Sequence, residues 1–352
     1  MTFHAITAVP LSIVTALGLL GNVLTLATTA LHPLKTSMNT LMLNLALCDL
    51  LFEALDCVPM TAYTAQSRWP FSIATCKAHN YFRTITVYVS AYTLLFMCTD
   101  RLLTLWSPNK DRHRNYVAAV VWLWVVVAIG ACYTFSITRL TSPPHAECTL
   151  APGTAITRMH YLAKFALAFC VPVALSGVCV GVSCCLGCRY EQQYRHYTAC
   201  ETDVQHNSIA ASRVHLMLAP RQRYSARGGG DGDADDRLEV RRMTITVSTI
   251  LVISTLFWLP NYVMELLMIY EPAALARFGM QESYWLTGVS LCLAYFIPAA
   301  RPLVYFILLP TFRQQCYRTV LCTRQRQPQH YHVNSFSPVH QTPTAAARET
   351  TV

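Results

Sequence analysis

Residues 76–108 read CKAHNYFRTITVYVSAYTLLFMCTDRLLTLWSP, a long apolar run with a cysteine at one end and Asp100-Arg101 near the other. At roughly 1.5 Å of helical rise per residue, Cys76 to Arg101 spans about 38 Å, enough to cross a bilayer at a tilt. A cysteine at one aqueous face and an acid–base pair at the other predict a helix that joins two compartments. The plainer alternative is one hydrophobic span among several, with charges that mark only its end.

Composition narrows the choice. Of 352 residues, 53% are hydrophobic and 13% charged, about half the charged share of a typical soluble domain. A net charge of +9 would fit a nucleic-acid binder if the basic residues formed a solvated face. They cluster between apolar spans instead, so no nucleic-acid partner is expected. Many of the fifteen cysteines lie inside apolar runs (Cys48, Cys98, Cys132, Cys170, Cys179, Cys292), where the residue acts as a small hydrophobe. The first apolar run is too long, and lacks the basic flank, for a cleavable signal peptide.

Seven apolar runs are long enough to span, at 8–31, 40–63, 77–105, 116–137, 160–185, 243–270 and 285–309. Basic residues concentrate after the first, third, fifth and seventh: Lys35; Lys110, Arg112 and Arg114; Arg189 through Arg242; Arg313 through Arg326. The opposite connections carry Glu147, Glu271 and Glu282. That asymmetry places a short N-terminus (1–7) outside and the C-terminus in the cytosol of a multi-pass plasma-membrane protein. The expected fold is an all-α membrane protein, a seven-helix bundle over 8–309, with a short amphipathic eighth helix at 310–322. Residues 186–241 are expected to form a long, partly disordered cytoplasmic loop, and 323–352 a disordered tail. The Asp-rich piece within 227–236 lacks the spacing of a calcium loop and reads as linker. Cys184, Cys185 and Cys188 close an apolar span without histidine, so no metal site is expected there, and no cofactor elsewhere.

Motifs occur in order along these spans. Gly21-Asn22 lies in the first and Leu45-Ala46-Leu47-Cys48-Asp49-Leu50 in the second. Trp69-Pro70-Phe71 precedes Cys76, and Asp100-Arg101-Leu102 ends the third. Trp122 lies in the fourth, Pro172 in the fifth and Phe257-Trp258-Leu259-Pro260 in the sixth. The seventh holds Arg301-Pro302-Leu303-Val304-Tyr305, followed by Phe312-Arg313. Over 8–322 this resembles the rhodopsin-like (class A) G-protein-coupled receptors. Through Cys57-Val58-Pro59, Trp258-Leu259-Pro260 and Cys292-Leu293-Ala294-Tyr295 it is similar to the peptide branch around galanin and allatostatin-A receptors.

The resemblance implies a cell-surface receptor for a peptide, coupled to a heterotrimeric G-protein, with the inhibitory class and arrestin as further partners. Cys76 and Cys148, one at a helix top and one in the loop after the fourth span, face the oxidising side; a disulfide there would pin the loop over the ligand entrance, two free thiols being the alternative. Asp100 would hold Arg101 until activation turns the arginine to the G-protein, or the pair is a plain interface anchor. The residue after Arg101 is Leu102 where the family usually has tyrosine. Pro260, Pro302 and Tyr305 are the activation motifs. Asn22, Asp49 and Ser90 match the buried polar region that binds sodium in the family, but Arg301 stands where an asparagine or aspartate is usual. Its guanidinium is expected to pair with Asp49 and take the cation's place. Val180 and Ser254 replace a tyrosine and a phenylalanine that assist activation. The alternative function is therefore an atypical or decoy receptor with weak or ligand-independent signalling.

The expected ligand pocket comprises Asp56, Arg83, Trp258, Tyr262, Glu265 and Tyr284. Amine receptors carry an aspartate at the position of Arg83; an arginine there repels amines and favours an acidic or carboxylate group. Pairing of Arg83 with Asp56 and Glu265 is the structural alternative. Trp69, His79 and Trp285 are further candidates at the helix tops, and Tyr88 in the aromatic floor. The C-terminal Thr350-Thr351-Val352 matches a PDZ-domain ligand, and Cys322, beside the interfacial eighth helix, is a candidate for lipidation. Membrane lipids are a partner by fold. An opsin is excluded because none of the four lysines (Lys35, Lys77, Lys110, Lys164) lies in the seventh span. No repeat of broken helices indicates a transporter, and no enzyme motif is present.

Overall fold

The computed structural model describes residues 3–32, 37–107, 115–142, 146–206, 231–277 and 279–321. The first span is Phe3–Leu31. The second is built of Met38–Phe52, a π turn at Glu53–Cys57 and Val58–Gln66. The third is Ile73–Trp106, and the fourth is Val117–Ala131 with a short continuation, Thr134–Ile137. The fifth comprises Ala155–Phe165, a π turn at Ala166–Cys170 and Val171–His206. The sixth is Asp231–Tyr270, followed by a short helix Pro272–Arg277. The seventh is Met280–Leu308, and an eighth helix follows at Pro310–Val320.

Six of these helices are long and apolar enough to cross a membrane. The second span is the exception, because it carries Asp49, Glu53 and Asp56 close together. Large hydrophobic side chains face outward, among them Trp122, Val126 and Ile129 on the fourth span at 67%, 59% and 69% exposure. Lipid, not water, is the solvent that such a surface fits.

Prolines shape the bundle in a way that accounts for its polar contacts. A proline lacks an N–H and its ring displaces the carbonyl four residues earlier, so that carbonyl needs another donor. Pro302 frees the Pro298 carbonyl, which accepts from Asn22 Nδ2 at 3.0 Å. Pro59 lies just past the first π turn, and the Leu55 carbonyl meets His79 Nδ1 at 3.2 Å. Pro172 likewise follows the second π turn. Gly21 lets the first span touch the seventh: a Cβ there would stand 3.0 Å from Pro302 carbons.

Three apolar clusters fill the interior. One lies at the inner half and joins Leu45, Met97, Met243, Ile250 and Tyr305. A second lies at the outer half around Phe52, Phe169, Tyr262 and Tyr295. The third packs Ile85 and Val89 against the fourth span. Outside the helices, strands β1 (Thr138–Leu140) and β2 (Cys148–Leu150) form an antiparallel hairpin with Leu140 opposite Cys148.

The fifth helix continues to His206 and the sixth begins at Asp231, so the described parts of 186–241 are helical, including the Asp-rich residues from Asp231 onward. These flanks are polar, so an apolar-run criterion does not register them as span. Residues 207–230 lie outside the described set, as do Cys322 and the tail with Thr350-Thr351-Val352. Trp122 faces lipid; the inward tryptophan is Trp124, whose Nε1 donates to Asn44 Oδ1 at 2.8 Å.

Candidate functional site

The third span carries a polar site at each end. At its outer end Cys76 is disulfide-bonded to Cys148, with Cα atoms 5.6 Å apart, which ties the β hairpin to the helix top. The hairpin is tethered again where Trp69 N donates to the Ala146 carbonyl at 2.7 Å.

Two turns below Cys76, Arg83 Nη2 donates to Glu265 Oε1 at 3.1 Å, and its Nε lies 3.9 Å from Asp56 Oδ1. Lys164 on the fifth span donates to both Glu265 oxygens at 2.8 Å, and Asn261 Nδ2 to Oε1 at 3.2 Å. Asp56 Oδ2 accepts from the Tyr295 hydroxyl at 2.5 Å. His79 Nδ1 is 3.2 Å from both Asp56 Oδ1 and the Leu55 carbonyl; the bond angle gives the hydrogen bond to the carbonyl. Two cations and two carboxylates from four spans therefore form one charge-balanced network. Arg83 and Glu265 retain 18% and 15% side-chain exposure, so they are the members a ligand can reach.

An aromatic floor lies beneath. Tyr262 stacks near Phe169 at 4.9 Å and Trp258 at 5.7 Å, with Lys164 Nζ 5.5 Å from the Tyr262 ring centre. Phe52 bridges Trp258 and Tyr295 at 6.1 and 5.2 Å. Below it a cavity of about 60 Å³ is lined by Asp49, Ser90, Ser254, Trp258 and Arg301 among others. Here Arg301 Nη1 donates to Asp49 Oδ1. Ser90 lines the cavity without bonding to Asp49, whose Oδ2 has no hydrogen-bond partner, like Ser254 Oγ and Arg301 Nε. A 60 Å³ space has room for water to satisfy such atoms. Asn22 Nδ2, besides holding Pro298, lies 3.3 Å from Glu53 Oε1 and 3.1 Å from the Gly18 carbonyl.

At the inner end Asp100 bonds to Arg101 and accepts from Ser37 Oγ at 2.6 Å. Arg101 is 5% exposed and Asp100 fully buried. The arginine is thus folded back into the bundle. The eighth helix buries Phe312 and Cys316 against the inner cluster and turns Tyr317 and Val320 outward, as an interfacial helix does.

Most of the sequence-chosen residues converge. Asp56, Arg83, Tyr262 and Glu265 meet in the outer network and its floor, and Asp49 meets Arg301. Tyr284 and Trp285 stand at the surface, 50% and 38% exposed. Trp69 and His79 do not: both are buried and packed on each other at 5.1 Å, so neither lines an entrance. Sequence reasoning passed over Lys164, Asn261 and Glu53. Lys164 and Glu53 were findable, since an ionisable residue inside an apolar span has a functional or pairing role by default.

A bundle of seven spans with a disulfide-pinned hairpin and a charged network at one end and an acid–arginine pair at the other is a multi-pass transmembrane architecture. Residues 21–305 match the family model of the 7 transmembrane receptor (rhodopsin family), and the chain belongs to that family. Among similar proteins, the allatostatin-A receptor of Bombyx mori is 25% identical over 317 residues, covering 87% of this chain and 76% of that protein. Galanin receptor type 3 of Homo sapiens is 28% identical over 336 residues, covering 91% and 80% respectively. Somatostatin receptor type 4 of Rattus norvegicus is 26% identical over 324 residues, covering 89% and 72%. The chain is thus a multi-pass membrane receptor and not an enzyme.

Proposed function

We propose that this protein is a plasma-membrane receptor for an extracellular peptide that activates a heterotrimeric G-protein on the cytosolic side. The observation that carries the reading is the third span: Arg83 joins the half-open charge network at its outer end, and Arg101 is held by Asp100 at its inner end. A peptide carboxylate or acidic side chain entering the network competes with Glu265 for Arg83 and Lys164. Re-pairing there shifts the third span against the fifth and sixth, and the same helix carries the shift to Arg101. Release of Arg101 from Asp100 then frees its fork of donors for the G-protein. Relatives named as receptors for allatostatin-A, galanin and somatostatin support a peptide as ligand.

The N-terminus outside and the C-terminus in the cytosol follow from the distribution of basic residues and from the disulfide, which belongs on an oxidising face. An inhibitory-class G-protein and arrestin remain part of the proposal through the family resemblance, and a PDZ partner through Thr350-Thr351-Val352. The decoy alternative is not favoured by the relatives, all three of which are named as receptors for specific ligands. A peptide library screened on receptor-expressing cells by G-protein dissociation, with Arg101→Ala as control, tests the reading. The expected result is a peptide response in the native receptor that disappears in the variant at equal surface density.

A further inference from the structure

We infer that Cys184, Cys185 and Cys188 form an S-acylation site that fastens the inner end of the fifth span to the bilayer. All three are exposed, whereas Cys48, Cys57, Cys98 and Cys316 are buried in the bundle. They lie in the last turns of the apolar run Ala155–Arg189, directly before Arg189.

Their depth can be read from a contact. Cys179 Sγ lies 3.8 Å from Thr99 Oγ1, and Thr99 immediately precedes the Asp100–Arg101 pair. The fifth span runs inward, so Cys184 lies about 7.5 Å and Cys188 about 13.5 Å beyond that level. That is the headgroup zone, within reach of cytosolic chemistry. Thiols in a reducing compartment stay free of disulfides.

The face they occupy is open. Cys184 and Cys188 follow Gly181 and Gly177 at helical three- and four-residue spacing, and a Cβ on either glycine would meet nothing within 4 Å. Leu175 and Val178 flank this strip at 49% and 63% exposure. An acyl chain tethered at the cysteines and directed back into the hydrocarbon lies along a strip without side chains.

In the reaction a cysteine thiolate attacks the carbonyl carbon of a long-chain fatty acyl-coenzyme A. A new sulfur–acyl bond forms, the bond from the acyl carbon to the coenzyme sulfur breaks, and the departing thiolate takes up the proton that the cysteine lost. No electrons are exchanged, and hydrolysis of the thioester by water restores the thiol and releases the free fatty acid.

This inference rests on the cytosolic placement of the helix end proposed above. The test uses full-length receptor in cells: free thiols are blocked, thioesters are cleaved with hydroxylamine, and the released thiols are tagged with a maleimide polymer. The native receptor should show hydroxylamine-dependent mass steps that the C184S/C185S/C188S variant lacks and a C322S variant keeps. Identical ladders in the native receptor and the triple variant overturn the proposal. If the triple variant fails to reach the membrane, mass spectrometry of the native fragment ending at Arg189 decides: an acylated fragment supports the site, and a solely unmodified one overturns it. A membrane-impermeant maleimide separates the two readings. Tagging of these cysteines in intact cells reverses the orientation and overturns both; tagging only after permeabilisation and hydroxylamine supports both.

Discussion

Arg301 on the seventh span donates through Nη1 to Oδ1 of Asp49 on the second, and both residues are sealed inside the bundle. Each charge is the other's neutralising partner in a medium where a lone charge is expensive. A positive group covalently attached to the receptor therefore occupies the place at which a mobile cation would otherwise meet Asp49.

Arg301→Ala leaves the Asp49 carboxylate buried without its partner and is expected to cost about 3–5 kcal/mol of stability. Thermal melting of the detergent-solubilised receptor should show a clear drop in Tm. Adding Asp49→Asn to that variant should restore much of the loss, because the orphaned charge is gone. Equal melting of the single variant and the native protein contradicts the pairing.

Agonist affinity in the native receptor should be the same in sodium and potassium buffers, since the Arg301 guanidinium already occupies the carboxylate. Radioligand displacement in the two salts measures this. A sodium-dependent affinity that vanishes in Asp49→Asn would show that the ion still reaches the site.

Glu265 is held by Lys164, Arg83 and Asn261 together. Glu265→Gln removes the carboxylate that competes with the ligand for Arg83 and Lys164 and should strengthen binding of a peptide's acidic group by about 2 kcal/mol or more. Lys164→Met combined with Glu265→Gln should show a coupling of about 0.5–3 kcal/mol in a double-mutant cycle. Simple additivity of the two effects places Lys164 outside the network.

Asn22→Ala removes the donor to the Pro298 carbonyl and is expected to destabilise the fold by about 1–3 kcal/mol. Gly21→Ala drives a methyl to 3.0 Å from Pro302 and should also lower Tm by separating the first and seventh spans. A neutral effect of both substitutions would mean that the two helices do not depend on this contact.

The seven spans were legible because apolar runs of that length leave few other folds, and the order of motifs identified the family. Span ends were less legible: the fifth and sixth helices continue as polar helix, to which an apolar-run criterion is blind. Which tryptophan of the fourth span faces inward was equally hidden. Trp122 and Trp124 are two residues apart, roughly 200° around the helix, and every neighbour is apolar. The Arg301–Asp49 pairing was an expectation drawn from the family resemblance, and pairing of Arg83 with Asp56 and Glu265 stood as the alternative to a ligand role; an intramembrane charge calls for a partner, but sequence does not say which. Lys164 was visible by the same rule, yet its significance depends on a geometry that brings its Nζ within 2.8 Å of Glu265 on the sixth span. His79 and Trp69 looked like entrance residues because their position in the sequence is at helix tops. The proline-freed Leu55 carbonyl instead draws the histidine inward.

The central claim is that one helix links Arg83 outside to Arg101 inside. Its most direct test is G-protein dissociation in living cells on addition of an activating peptide, compared among the native receptor, Arg83→Ala and Arg101→Ala at matched surface density. The account predicts loss of peptide affinity in Arg83→Ala, and normal peptide binding without G-protein dissociation in Arg101→Ala. Full dissociation in Arg101→Ala at native peptide potency would contradict it.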